Sequence, residues 1–245
     1  MQPSAFGAAS SRPDPAGGGR PRGGRAETAV GCPRRGCAGI RPGCAGIVAD
    51  RPVVGVLALQ GDVREHALML EALGARVVRV RRAEELEGLD GLVLPGGESS
   101  AIDKLARAFG LREPLIAHIR AGLPVFGTCA GMILLADRIV DGIEGQQTFG
   151  GLDATVRRNA FGRQSESFEA DLDIAELGRP PVRVAFIRAP AIEQLGNAAR
   201  VLAALPDGRI VAAEQGAVLA TAFHPEQTGE TRFHERFLDR IAQRS

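Results

Sequence analysis

One stretch constrains the fold of this chain more than any other: Pro124-Val125-Phe126-Gly127-Thr128-Cys129-Ala130-Gly131-Met132. A short apolar run enters Gly127, a single cysteine follows, and Gly131 opens a helical pattern. Glycines two residues to either side of a reactive side chain suit a sharp strand-to-helix turn, where bulkier residues would clash. The turn lifts the central side chain above the carboxyl edge of a sheet. It also sets the thiol at a helix N-terminus, where unpaired N–H groups and the helix dipole favour a thiolate. Such an elbow commits the chain to strands that feed helices.

The flanking pattern agrees. Residues 53–59 read as a buried parallel strand, 63–73 as a helix closed by Gly74, and 76–80 as a second strand. Further strands are predicted at 91–94 and 123–126, with helices over 102–109 and 114–120 between them. This alternation predicts an α/β fold, a mostly parallel sheet with helices on both faces and functional loops at the carboxyl ends of strands. After Ile139 the segments shorten, with strands expected near 155–156, 182–187, 201–204, 210–214 and 218–222, some of them antiparallel. A closing helix covers 231–241, and residues 51–245 are expected to form one domain.

Two further elements carry chemistry. Pro95-Gly96-Gly97-Glu98-Ser99 follows the apolar run 91–94 as a strand-end loop with free backbone N–H groups. His224-Pro225-Glu226 supplies a base and a carboxylate two residues apart; in extended backbone these point the same way and converge on one place. With Cys129 they read as a Cys-His-Glu triad. Cys129 is the nucleophile, His224 the proton shuttle and Glu226 the group that orients the imidazole. Backbone N–H groups of Gly97 and Ala130 would meet the oxyanion. His118 and His234 are expected to be structural or solvated.

In combination these residues make the chain resemble the triad (class I) glutamine amidotransferases. Within that group it is most similar to the glutaminase subunits of pyridoxal 5′-phosphate synthase. The narrower match rests on Leu59-Gln60-Gly61-Asp62-Val63-Arg64-Glu65-His66, Arg158-Asn159-Ala160-Phe161-Gly162-Arg163-Gln164, Ser167-Phe168-Glu169-Ala170 and Phe186-Ile187-Arg188-Ala189-Pro190. The resemblance implies a three-layer, flavodoxin-like fold and hydrolysis of L-glutamine to glutamate and ammonia. It implies glutamine contacts from Gly97, Glu98, Ser99, Arg158, Ile187 and Arg188. Relatives often carry an acidic residue where this chain has Arg157, so the arginine that reaches glutamine is either 157 or 158. The resemblance further implies docking on a (β/α)8-barrel synthase subunit that receives the ammonia, with residues 60–66 and the Gly96-Gly97 loop near the interface. No cofactor and no metal are implied. Rival readings are a glutaminase serving histidine, anthranilate or guanine-nucleotide synthesis, a non-catalytic partner-binding module of this fold, and a cysteine-elbow protein of the redox-stress type.

Composition narrows the classes. A formal charge of +1 over 245 residues gives no electrostatic case for nucleic-acid binding. No apolar run approaches the ~20 residues that span a bilayer. Residues 1–50 hold 11 Gly, 6 Pro and 7 Arg against 3 acidic residues and show no hydrophobic period, so they are expected to be disordered. An upstream mis-assigned start, with Val48 as one candidate for the true one, would explain them. Cys32, Cys37 and Cys44 lie in that segment at spacings that match no zinc module. Cys129 is then the lone thiol of the folded part, which suits a reducing cytoplasm.

Overall fold

The computed structural model describes residues 51–161 and 167–244. The expected disorder of residues 1–50, the three cysteines there, and Gly162, Arg163 and Gln164 of the resemblance lie outside the described residues.

The first half runs β1 (Val53–Leu57), α1 (Val63–Ala72), β2 (Arg76–Val80), β3 (Gly91–Leu94), α2 (Ser99–Ala108), α3 (Arg112–Arg120), β4 (Val125–Thr128) and α4 (Ala130–Leu135). Strands β1, β3 and β4 are buried on both faces, as near-continuous apolar runs require, whereas β2 at the sheet edge exposes Arg76 and Arg79. Helix α2 starts three residues before the sequence expectation because Glu98 caps it, its side chain accepting from Ser100 N–H at 3.4 Å. Pro114 falls inside the first turn of α3, where its missing N–H costs nothing, so α3 begins earlier too.

The second half holds β5 (Ala136–Val140), β6 (Leu152–Arg157), β7 (Phe168–Leu172), β8 (Val182–Phe186), β9 (Ala191–Leu195), β10 (Arg200–Ala204), β11 (Ile210–Gln215) and β12 (Val218–Thr221). It closes with α5 (Pro225–Thr228) and α6 (Arg232–Ala242). The main sheet has the order β2-β1-β3-β4-β12-β11-β9-β6-β5, and β10 pairs with β11 off this path. Its first five strands are mutually parallel, and the direction reverses at β11. Strands β7 and β8 form a separate antiparallel pair.

Helices cover both faces. The Phe126 ring stands 5.3 Å from His234 and 6.0 Å from Phe237, both on α6, and 6.2 Å from His66 on α1. The next residue, Gly127, turns to the other face, where a methyl group would fall 2.6 Å from Leu135 of α4. Alternation along β4 thus assigns α1 and α6 to one layer and α4 to the other. The register Leu94↔Gly127↔Ala220 levels the carboxyl ends of β3, β4 and β12. Three loops, after Leu94, Thr128 and Thr221, therefore open at one edge.

Candidate active site

The elbow is built as the sequence requires. Cys129 has φ 47°, a left-handed conformation uncommon outside glycine, and its N–H donates to Thr221 O of the neighbouring strand at 2.7 Å. Helix α4 begins at the next residue, so the thiol stands at a helix N-terminus. The close approach needs Gly131, where a methyl group would lie 2.1 Å from Leu94 O. The Cys129 thiol points toward Ile187 O, 3.9 Å away.

His224 and Glu226 meet, but by a different backbone route from the extended one expected. His224 precedes α5, and Glu226 sits inside that single helical turn with Pro225 at its start. The Pro225 ring pre-sets the helical φ, and the turn swings the carboxylate back under the imidazole. His224 Nδ1 and Glu226 Oε1 are 2.8 Å apart, with both side chains buried. The backbone of His224 is held from β8, its N–H donating to Ala185 O at 2.9 Å.

A second carboxylate, Asp62 at the start of α1, reaches the same imidazole, with Oδ2 3.2 Å from His224 Nδ1. Burial alone would lower the pKa of His224. Hydrogen bonds with Asp62, Cys129 and Glu226, and the Cys129 charge, outweigh burial and hold the imidazole well above its ordinary range. Burial pushes the Glu226 carboxyl up, opposed by its hydrogen bond to His224. Asp62, His224 and Glu226 offer atoms within 4.8 Å of one another, the reach of a metal ion. Their hydrogen-bonded pairing accounts for the cluster as two carboxylates clamping one imidazole.

Above Cys129 opens a cavity of about 310 Å³. Gly97, Glu98, Ser99, Arg158, Ile187 and Arg188 all line it, together with Gln60, Asp62 and Gln227. Ala130 lies beneath as the first residue of α4, whose N–H has no intrahelical acceptor four residues back. Arg158 Nη2 donates to Glu98 Oε1 at 2.7 Å and Nη1 to Gln146 Oε1 at 3.1 Å, so the guanidinium is fixed beside the thiol pocket. Arg157 instead pairs with Asp141 and Glu193 and lines no part of this cavity. Gln60 Oε1 accepts from Glu98 N–H at 2.7 Å and braces the loop that holds Gly97, whose φ of 148° suits glycine.

Sequence reasoning missed Asp62 and Gln146 as site residues. Asp62 follows β1, so its place at a strand end was the available signal. Gln146 sits between β5 and β6, where no spacing or pattern marks it. His234, expected to be structural or solvated, is fully buried and bonded to His66 through ring nitrogens 2.8 Å apart. His118 is partly buried, its Nδ1 2.9 Å from Pro114 O.

A cysteine at a strand-to-helix elbow, clamped to an imidazole–carboxylate pair at the carboxyl edge of a mixed α/β sheet, defines the class. A model of the SNO glutamine amidotransferase family matches residues 56–243, and the chain belongs to that family. It is 61% identical over 192 residues to a "Pyridoxal 5′-phosphate synthase subunit PdxT" of Clavibacter sepedonicus, covering 78% of this chain and 92% of the relative. A protein of the same name from Leifsonia xyli subsp. xyli is 62% identical over 194 residues, covering 79% and 98%. Among solved structures, a glutamine amidotransferase superposes with TM-score 0.72 at 49% identity, over 77% of this chain and 98% of that one. PurLQS from Thermotoga maritima shares the fold, with TM-score 0.57 at 16% identity, over 79% of this chain and 98% of that one.

Proposed function

We propose that this protein hydrolyses the side-chain amide of L-glutamine and passes the ammonia to a partner synthase that builds pyridoxal 5′-phosphate. The observation that carries the reading is that Cys129 and His224 share a cavity with Glu98 and Arg158, with Glu226 buried behind the imidazole at 2.8 Å. The names of the relatives, which align over nearly their whole length, select this synthase over those of histidine, anthranilate or guanine-nucleotide synthesis. The partner is a (β/α)8-barrel protein, as the sequence resemblance implies.

The residues divide the work as follows. A raised His224 favours the imidazolium, which pairs with a Cys129 thiolate before substrate arrives. The thiolate attacks the amide carbon, and the oxygen that becomes negative meets the N–H groups of Gly97 and Ala130. Collapse breaks the C–N bond, His224 donates its proton to the departing nitrogen, and a thioester remains. Water, deprotonated by His224, then attacks the thioester and releases glutamate and the thiol. Glu226 fixes tautomer and direction of the imidazole. Glu98 takes the α-ammonium of glutamine, and Arg158 and Arg188 serve its α-carboxylate, with the Ile187 backbone beside them. The reaction belongs to the cytoplasm on the ground that an unpaired Cys129 thiol is kept reduced there. No helix among the described residues is long and apolar enough to cross a membrane.

The test is ammonia release at saturating glutamine while the synthase is titrated. Activity is expected to be low for the lone chain and to rise with the partner, because docking beside residues 60–66 selects the Gly96-Gly97 conformation with N–H groups turned inward. A single aligned oxyanion donor is worth roughly 10²–10³ in turnover. Full activity alone, or no response to the synthase, would overturn the coupling.

A further inference from the structure

A chain of buried histidines lies behind the triad and takes no part in the chemistry above. His66 of α1 and His234 of α6 are both fully buried. His66 Nδ1 meets His234 Nε2 at 2.8 Å, and its other nitrogen faces the site. His66 Nε2 lies 3.1 Å from Thr128 Oγ1, on the residue before the elbow cysteine, and 3.6 Å from Glu226 Oε1. That oxygen is the one that holds His224 Nδ1. Glu226 Oε2 and His234 Nδ1 have no hydrogen-bond partner among the described residues.

Two tautomers satisfy the 2.8 Å ring contact. If His66 carries its proton on Nδ1, its Nε2 lone pair faces the Glu226 carboxylate, and His234 is left with a buried, unpartnered N–H. If the proton is on Nε2, an N–H faces the carboxylate and only an acceptor lone pair is orphaned, at His234 Nδ1. Electrostatics favours the second arrangement, and buried orphan N–H groups are rarer than under-satisfied acceptors. The Thr128 hydroxyl rotates to fit either.

We propose that His66 is a positioning residue of the triad: as the neutral Nε2–H tautomer, fixed by His234, it keeps the Glu226 carboxylate ionised and aimed at His224. The inference rests on the glutaminase reading of the site. Buried carboxylates ionise only when donors offset the loss of water. Around Glu226 stand His224 before α5, Asp62 before α1, His66 on α1 with His234 of α6 behind it, and Cys129 before α4. Asp62 repels the Glu226 charge, and His224 already spends its Nδ1 hydrogen on both carboxylates. His66 supplies the further favourable contact: its Nε2–H, hydrogen-bonded to Thr128 Oγ1 at 3.1 Å, sets the positive end of a bond dipole 3.6 Å from Glu226 Oε1. Burial, together with the charges of His234 and His224, lowers its pKa, so it donates as a neutral ring.

The full-length chain has 4 histidines, so ¹⁵N-histidine labelling gives an imidazole spectrum that single substitutions can assign. His66 is expected to be neutral with its proton on Nε2 over about pH 6–8; a proton on Nδ1 would overturn the proposal. Ammonia release is then measured with the synthase present. In His66→Leu, kcat should fall roughly 10- to 100-fold with KM for glutamine unchanged. The acid limb of kcat/KM should move to higher pH, because a carboxylate that loses a favourable dipole beside it keeps its proton longer. His66→Gln should recover much of kcat through its amide N–H. Parental kcat in folded His66→Leu, with Cys129→Ala inactive, sinks this proposal and leaves the glutaminase reading standing. An active Cys129→Ala sinks that reading itself. Should His66→Leu fail to fold, the tautomer of the parent chain decides.

Discussion

At the residue scale the proposed mechanism separates groups that react from groups that aim. Cys129→Ala removes the proposed nucleophile, so ammonia release is expected to vanish while the fold, set by the glycines around the elbow, survives. His224→Asn should be almost as inactive, since no other imidazole among the described residues lines the cavity next to the thiol. Glu226→Gln should lose less. Asp62 still reaches the same imidazole nitrogen at 3.2 Å and can hold part of its orientation. Initial rates of the three purified variants, with synthase present, check this ordering; a Glu226→Gln enzyme as fast as the parent would transfer the orienting role to Asp62. The choice between Arg157 and Arg158 shows what a sequence withholds at this scale. Both are arginines in one motif, and only the ion pairs of Arg157 with Asp141 and Glu193 reveal which of them is turned from the cavity.

At the element scale, α1 and α6 are joined beneath the sheet by the His66–His234 contact. Burial lowers both histidines, His234 to about 4. The folded state therefore resists protonation that the unfolded state accepts. The stability these rings contribute is present above the ordinary imidazole pKa near 6.5. It is lost as pH falls below that value, down to the folded pKa. Each ring adds a slope of up to about 1.4 kcal/mol per pH unit in that window. Melting temperature is expected to drop between about pH 7 and about pH 5, and His234→Phe should flatten the drop; equal slopes in the two proteins would remove the histidines as its cause. Legibility in the sequence follows the same divide. Strands β1, β3 and β4 were visible because both faces are buried and the runs are apolar. Strands β7 and β9 were not, since Phe168-Glu169-Ala170-Asp171-Leu172 and Ala191-Ile192-Glu193-Gln194-Leu195 are half exposed and carry charge that only their partners explain. The His224–Glu226 pairing was legible, whereas its helical turn was not, because two residues cannot distinguish an extended step from one wound by Pro225.

At the scale of the whole molecule, the core of the described residues draws on elements from β1 to α6, and the family match starts at residue 56. Deleting residues 1–50 is therefore expected to leave ammonia release and melting temperature essentially unchanged. Parallel assays of the full and shortened chains check this, and a loss of more than about 1 kcal/mol in stability would show that the segment contributes packing. The level carboxyl ends of β3, β4 and β12 have one more consequence. They put the cavity at one end of the strands and leave the other end free of it. The exposed turn at Gly216, between β11 and β12, lies at the opposite edge of the sheet from His224. A surface tether or fluorophore attached there would leave the cavity facing open solution, so a probe could be mounted without covering it.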